Sequence, residues 1–207
     1  MKLLLIFLLF IIHTTSFAQT NNDDGFWLGV FSKKEWTEKF SYESEAQFRY
    51  STSDGEVSQL LFRSGILYDF TKRHKLGFLF AFIASDNLDE HRFTLQHSQV
   101  YFKNENLKLS ARSRIEARFF EDFPEDSSRF RYLLRFDYRK YIVWNEFFLN
   151  LKEDQFTGDR IFDRNRFFVG RKSKLFNSRI EYGYLNQYTP RDNVDTIEHL
   201  LVLYLFL

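Results

Sequence analysis

The sequence predicts an all-β protein: an antiparallel transmembrane β-barrel of about 10 to 12 strands that follows an N-terminal signal peptide. Three observations support this prediction. A short apolar run opens the chain, aromatic residues make up 20% beside 28% charged residues, and polar and apolar side chains alternate. The alternating stretches are about ten residues long, which a tilted strand needs to cross a bilayer, whereas soluble strands mostly have about five or six residues.

The N-terminal segment has the three parts of a signal peptide. Lys2 precedes an apolar run, residues 3–12, and a polar stretch follows at residues 13–16. Ser16 and Ala18 supply the small side chains that a signal peptidase requires. We therefore predict a signal peptide over residues 1–18 and a single mature barrel domain over residues 19–207. The apolar run is far shorter than the roughly 20 residues of a membrane-spanning helix.

Composition excludes several classes of protein. The chain has 29 basic and 28 acidic residues, and this balance argues against a nucleic-acid partner. The absence of cysteine excludes a disulfide scaffold and a thiolate metal site. The 27 phenylalanines suit a surface that faces hydrocarbon with aromatic girdles at its edges. The sequence thus predicts a bacterial outer-membrane location, with membrane lipid as a partner.

Alternation is clearest in residues 40–50, where one face is wholly polar and the other mainly apolar. The polar face consists of Ser41, Glu43, Glu45, Gln47 and Arg49. In a soluble half-buried sheet the apolar face would point inward. The length of the stretch favours the inverse arrangement, in which apolar side chains face lipid and polar side chains face the lumen.

Two further segments repeat this pattern and carry most of the charge. The polar face of residues 107–119 consists of Lys108, Ser110, Arg112, Arg114, Glu116 and Arg118. The matching face of residues 130–138 consists of Arg131, Leu133, Arg135 and Asp137.

Weaker segments bring the number of candidate strands to eleven. They are residues 26–33, 59–70, 75–84, 92–103, 142–150, 165–172, 179–187 and 197–206. Their connections alternate between short and long, as periplasmic turns and outside loops do. Because bacterial single-chain barrels have an even number of strands, we expect ten or twelve strands. The alternation also starts the chain at the long-loop end, which an even antiparallel barrel does not explain.

The final segment predicts contact with the barrel-assembly machinery during biogenesis. Leu200, Val202, Tyr204 and Phe206 share one face of this strand, and an aromatic residue lies close to its end.

Several short motifs resemble an uncharacterised bacterial family, domain of unknown function 2490, which is common in Bacteroidota. They are Gly25-Phe26-Trp27-Leu28-Gly29-Val30, Ser41-Tyr42-Glu43-Ser44-Glu45, Glu90-His91-Arg92 and Asn165-Arg166-Phe167-Phe168-Val169-Gly170. The resemblance covers nearly the whole mature chain. It implies an outer-membrane barrel and carries no established activity or catalytic residues.

The polar face is the candidate functional site. The predicted lumen cluster consists of Glu43, Glu45, Arg49, Arg112, Arg114, Glu116, Arg118, Arg131, Arg135 and Asp137. Side chains on neighbouring strands lie about 5 Å apart, so we expect Arg112, Arg114 and Arg118 to pair with Glu116 and Asp137. Two interpretations stay open. Either ion pairs fill a small lumen, or a strip of arginines attracts an anionic solute, whose carboxylate or phosphate suits the guanidinium fork.

An outer-membrane lipid-modifying enzyme is the alternative. Ser85 and His91, with Asp86 or Asp89, lie in or beside one predicted outside loop and would supply a nucleophile and a base. The scattered histidines have no metal-ligand spacing, and no phosphate-binding glycine loop is present. We therefore predict no cofactor and no metal.

Overall fold

A computed structural model describes residues 20–53, 55–85, 88–121, 126–152, 160–191 and 194–207. The predicted signal peptide, residues 1–18, lies outside these residues. None of the described residues forms a helix long and apolar enough to span a membrane.

The described chain forms one closed barrel of eleven strands. The strands are β1 (Thr20–Glu35), β2 (Phe40–Ser51), β3 (Glu56–Asp69), β4 (His74–Ser85), β5 (Glu90–Lys103), β6 (Leu107–Phe120), β7 (Ser127–Tyr138), β8 (Tyr141–Asn150), β9 (Phe162–Leu175), β10 (Ser178–Thr189) and β11 (Asp195–Phe206). Each of the eleven predicted segments falls on one of these strands. The prediction of an all-β barrel of about 10 to 12 strands is confirmed, and the expectation of an even strand number is wrong.

The odd strand number explains where the chain starts. Neighbours along the chain pair in antiparallel fashion, but β1 closes the barrel against β11 in parallel, with Thr20 opposite Asp195 and Phe31 opposite Phe206. With an odd number of alternating strands, the first and last strands run in the same direction. The purely antiparallel barrel that we predicted is therefore corrected at this one seam, and β1 does begin at the long-loop end.

The connections alternate in length as predicted only from β5 onward. At one end they have two to four residues, at residues 36–39, 70–73, 104–106, 139–140 and 176–177. At the other end they have four to eleven residues, at residues 52–55, 86–89, 121–126, 151–161 and 190–194, of which the first two equal the turns at 36–39 and 70–73 in length. We call these the turn end and the loop end.

The two faces of the wall have the predicted orientation. Ile115 and Phe136 are 52% and 43% exposed, whereas Arg114 and Glu116, which alternate with Ile115, are 3% and 0% exposed. Apolar side chains therefore cover much of the outside of the barrel, and charged side chains fill its interior. Because successive side chains of a strand point to opposite faces, each inward-pointing charged residue places its two neighbours in the chain on the outer face.

One side of the interior is apolar, which the sequence did not predict. On β8 to β11 and β1, both faces of the wall carry apolar side chains, and the inward ones form a buried cluster: Trp27, Ile142, Trp144, Phe168, Leu185, Leu200, Val202 and Tyr204. The face of β11 that bears Leu200, Val202 and Tyr204 thus points into the barrel. Leu201 and Leu203 lie on its outer face.

Two glycines make room for this cluster. Gly170 and Gly183 are direct partners on β9 and β10, and a Cβ atom on either would collide with the ring of Phe168 and with the backbone of the facing strand. A glycine inside a strand often marks such a close approach.

Candidate functional site: the charged lumen

The interior of the barrel gathers the predicted lumen cluster. A cavity of about 870 Å³ is lined by Glu43, Glu45, Arg49, Arg112, Arg114, Arg118, Arg131 and Arg135. The two remaining members, Glu116 and Asp137, are buried beside it and bind its arginines. The structure thus brings all ten predicted residues to one interior surface.

Glu116 lies at the centre of a buried ion-pair network. Its carboxylate accepts hydrogen bonds from Arg131 at 2.7 Å and from Arg129 at 2.8 Å, and Arg92 lies 3.6 Å away. Arg131 also donates to Glu146, at 2.9 Å. Charge-assisted hydrogen bonds of this kind are stronger than neutral ones, and the network ties together β5, β6, β7 and β8.

The pairing within the cluster differs from our expectation. Arg112 binds Glu146 at 3.1 Å, Arg118 binds Glu90 at 2.9 Å, and Arg114 donates to the amide oxygen of Gln96 at 2.7 Å. None of the three forms an ion pair with Glu116 or Asp137 among the described residues, so the predicted partners are wrong.

Asp137 belongs to a second network near the turn end. It binds Arg135 at 2.9 Å and Lys172 at 3.2 Å. Arg135 also donates to Glu181, at 2.7 Å. The long arginine side chains reach acidic groups on β10, which lies three strands away across the lumen. Register alone therefore does not identify these partners.

Several interior charges were missed by the sequence analysis because they lie outside the stretches of clear alternation. They are Glu90, Arg92, Arg129, Asp163, Arg164 and Arg166. Glu90 lies two residues and Arg129 one residue before a predicted segment begins, and each is in phase with the inward face of that segment. Extending the period of two to the strand ends would have found both.

Aromatic rings separate the arginines of the interior. The guanidinium groups of Arg49 and Arg166 lie 3.9 and 4.7 Å from the ring centroid of Trp27. Arg131 and Arg166 lie 4.5 and 4.6 Å from that of Phe148. Such cation–π contacts are strengthened by desolvation, and here they add to the ion pairs of Arg131 and stabilise Arg49 and Arg166, which have few carboxylate partners.

The lumen contains a second, smaller cavity. It has a volume of about 230 Å³ and lies at the loop end, and Trp27, Arg49, Gln59 and Arg164 line both cavities. The large cavity extends to the turn end, where Lys72 and Arg73 line it. Trp27 and the two arginines therefore lie where the two cavities border each other.

The enzyme candidates are not brought together. Ser85 continues the inward face of Ala81 and Ile83, and its hydroxyl donates to the Leu88 carbonyl at 2.6 Å. His91 points outward, 5.3 Å from the Phe82 ring centroid, and its Nε2 lies 3.1 Å from Glu121. The two side chains lie on opposite faces of the wall, so no nucleophile–base contact forms between them. Asp86 lies outside the described residues, and Asp89 offers only a backbone hydrogen bond, to Glu121.

Metal-binding geometry is also absent from the part of the chain that the structure describes, where no three His, Asp or Glu side chains form a group able to hold a metal ion. His74 and His97 do approach each other, with 3.1 Å between ring nitrogens. Two histidines alone fall short of a structural zinc site.

The fold and the site define a class of protein: a closed eleven-stranded β-barrel with an apolar exterior and an interior of buried ion pairs. The family described as protein of unknown function (DUF2490) matches residues 24–198, and the chain belongs to that family. Comparison with the curated proteins and with the solved structures found no match.

Proposed function

We propose that the chain is an integral β-barrel of a bacterial outer membrane, whose narrow, charged lumen serves a small anionic solute. The observation that carries the proposal is the inverted arrangement of the wall, apolar outside and ionic inside. Soluble monomers rarely expose contiguous apolar patches larger than a few hundred Å². A transmembrane barrel requires such an outer surface.

Adjacent outward residues form an unbroken apolar surface. Phe78, Phe80, Phe93, Leu95 and Ile115 lie on the neighbouring strands β4, β5 and β6, and each is at least 37% exposed. Aromatic side chains also lie toward the turn end, Trp36, Tyr138 and Tyr141 among them. Tyr and Trp side chains favour the membrane–water interface because one part of the ring is apolar and the other polar.

The interior favours a restricted passage over free diffusion. Eleven strands lie between the side-chain-filled barrels of about eight strands and the open porins of about sixteen. Ion pairs fill part of the lumen, and the side chains of Trp27 and Arg49 lie between its two cavities. Arginines outnumber carboxylates on the walls of the large cavity, so the passage favours anions.

Extraction and gel migration test the membrane location. We expect the full chain to need detergent for extraction from membranes, and unheated and heated samples to migrate differently, because a closed barrel resists unfolding by detergent. A protein that stays monomeric and dissolved in detergent-free buffer, with a single migration position, would contradict the proposal.

Planar-bilayer recording tests the lumen. We expect small, anion-selective conductance steps, and larger steps for Arg49→Ala, which shortens a side chain at the border between the two cavities. Arg171→Ala is the matched control, because Arg171 lies outside the lining of either cavity. Cation-selective steps, or none, would contradict a passage for anions.

A further inference from the structure

We infer that the large cavity contains a binding site, centred on Arg114, for a compact oxyanion of two or more negative charges that enters from the turn end. The inference deepens the proposed function and rests on it, since it names the site, the class of ligand and the side of entry.

Arg114 is a buried cation without a carboxylate partner. Arg114 is 3% exposed and lines the cavity. Its hydrogen bond goes to a neutral acceptor, Gln96, and no Asp or Glu lies within ion-pair distance among the described residues. A buried charge normally needs a partner, because removal from water is costly. An anion bound in the cavity would supply one.

The surroundings of Arg114 are themselves cationic. Arg112 lies two residues away on the same face of β6, and Arg63 of β3 lines the same cavity. Arg131 is also its direct cross-strand partner. Like charges at such distances repel each other in a medium of low dielectric constant. The cluster is therefore left with positive charge that its own carboxylates do not neutralise.

Hydrogen-bond donors remain available in the same cluster. The Nε atoms of Arg63, Arg112 and Arg131 are buried and have no hydrogen-bond partner. Other nitrogens of these arginines bind Glu45, Glu146 and Glu116. Buried donors without a partner in the protein are rare in folded proteins, so these three groups are suited to bind a ligand.

The chemistry of these donors selects the ligand. Guanidinium groups bind carboxylate and phosphate through two parallel hydrogen bonds, a geometry that chloride does not offer. Several arginines around one space favour an anion with more than one charge. A cavity of about 870 Å³ lies within the range of roughly 300–1,000 Å³ that holds small-molecule ligands, so a phosphate or a small polycarboxylate fits.

The distribution of charge at the two ends assigns the side of entry. Basic residues line the cavity where it reaches the turn end: Lys33, Lys72, Arg73, Lys75, Lys108 and Arg179. The described residues of the loop segments include the acidic residues Asp89, Glu121 and Asp126. Glu43, Asp69 and Glu181 also line the cavity at the turn end, so the basic side chains there outnumber the acidic ones by six to three. An excess of one sign of charge concentrates ions of the opposite sign. The excess of basic over acidic side chains is larger at the turn end than in the loop-end cavity, which is lined by Arg49, Arg164, Arg191 and Glu198. This assigns the turn end as the side of entry for anions.

Calorimetric titration of the full-length barrel in neutral detergent tests the site. We expect saturable binding of inorganic phosphate or citrate, with chloride at equal ionic strength binding at least tenfold more weakly. Tighter binding of phosphate would identify the ligand as a phosphate, and tighter binding of citrate would identify it as a polycarboxylate. Arg114→Gln is expected to lower the affinity for the more tightly bound oxyanion at least tenfold, since it removes the unneutralised cation.

Arg171→Gln is the matched control, because it removes the same charge outside the cavity. It is expected to leave binding unchanged. Thermal unfolding of the ligand-free variants gives a second readout: Arg114→Gln should not lower the unfolding temperature, since the side chain it replaces has no ionic partner. Phosphate is expected to raise that temperature in the unmodified protein and not in Arg114→Gln.

Two results would overturn the inference. One is the absence of saturable phosphate and citrate binding to a barrel that still shows heat-modifiable migration. The other is equal loss of binding in Arg114→Gln and Arg171→Gln, which would indicate attraction by net charge alone. A failure of the membrane proposal would appear separately, as a single migration position and detergent-free solubility.

Discussion

Ala46→Arg should prevent membrane assembly of the barrel. Ala46 is exposed on the outer face of β2, between Val30 of β1 and Phe62 of β3. If this face meets hydrocarbon, a guanidinium group there costs about 2–4 kcal/mol near the bilayer midplane. We expect loss of the fast-migrating folded form, or a matching drop in the free energy of unfolding after refolding into vesicles.

The neighbouring residue supplies the control. Gln47 points into the lumen, where its amide accepts a hydrogen bond from Arg49 at 3.1 Å and donates to Glu45. Gln47→Arg should be tolerated, because the new cation lies beside Glu45 in a hydrated cavity. Ala46→Leu should also assemble, since it adds volume without charge. Equal assembly of Ala46→Arg and Gln47→Arg would refute the assignment of faces to lipid and lumen.

The contrast between Ala46 and Gln47 illustrates what the sequence allows one to predict. On β2, β6 and β7 one face is polar and the other mainly apolar, so the period of two fixes both the strand and its orientation. Ile115 and Phe136 accordingly point outward, as predicted. The alternation also placed the start of the chain at the loop end, which the parallel pairing of β1 with β11 explains.

The apolar part of the interior could not be predicted from the alternation of polar and apolar residues. Trp144 and Phe168 point inward, while Phe147 and Val169 on the same strands point outward. When both faces are apolar, the alternation carries no signal about orientation. Only the closed barrel shows which side chains meet in its centre.

The ion-pair partners within the charged cluster could not be predicted from the sequence either. Sequence predicted that Arg112 and Arg118 point inward, but the carboxylates that they bind, Glu146 and Glu90, belong to other strands. Arginine side chains are long enough to reach past the directly opposite residue. Arg114 is informative for the opposite reason, because its lack of a carboxylate partner is visible only when every neighbour is in place.

Glu116→Gln should cause the largest loss of stability among the interior carboxylates. Glu116 is 0% exposed and binds Arg129 and Arg131, with Arg92 close by. Removing one member of a buried ion pair typically costs about 3–5 kcal/mol, because its partners stay charged without compensation. We expect a decrease of this size in the free energy of unfolding by urea, with the barrel still able to fold at low denaturant.

An exposed pair is the appropriate control. Glu35 binds Lys33 at 2.8 Å near the turn end, with 75% of its side chain exposed, so Glu35→Gln should leave stability unchanged. A double variant, Glu116→Gln with Arg131→Met, tests the cause of this loss of stability. It removes the carboxylate together with one of the cations that would otherwise lack a partner. If charge left without compensation is responsible, the double variant is more stable than Glu116→Gln alone, and the two substitutions are strongly non-additive. Additive losses would instead mean that Glu116 acts through packing, and the ion-pair network would then not be what stabilises the interior.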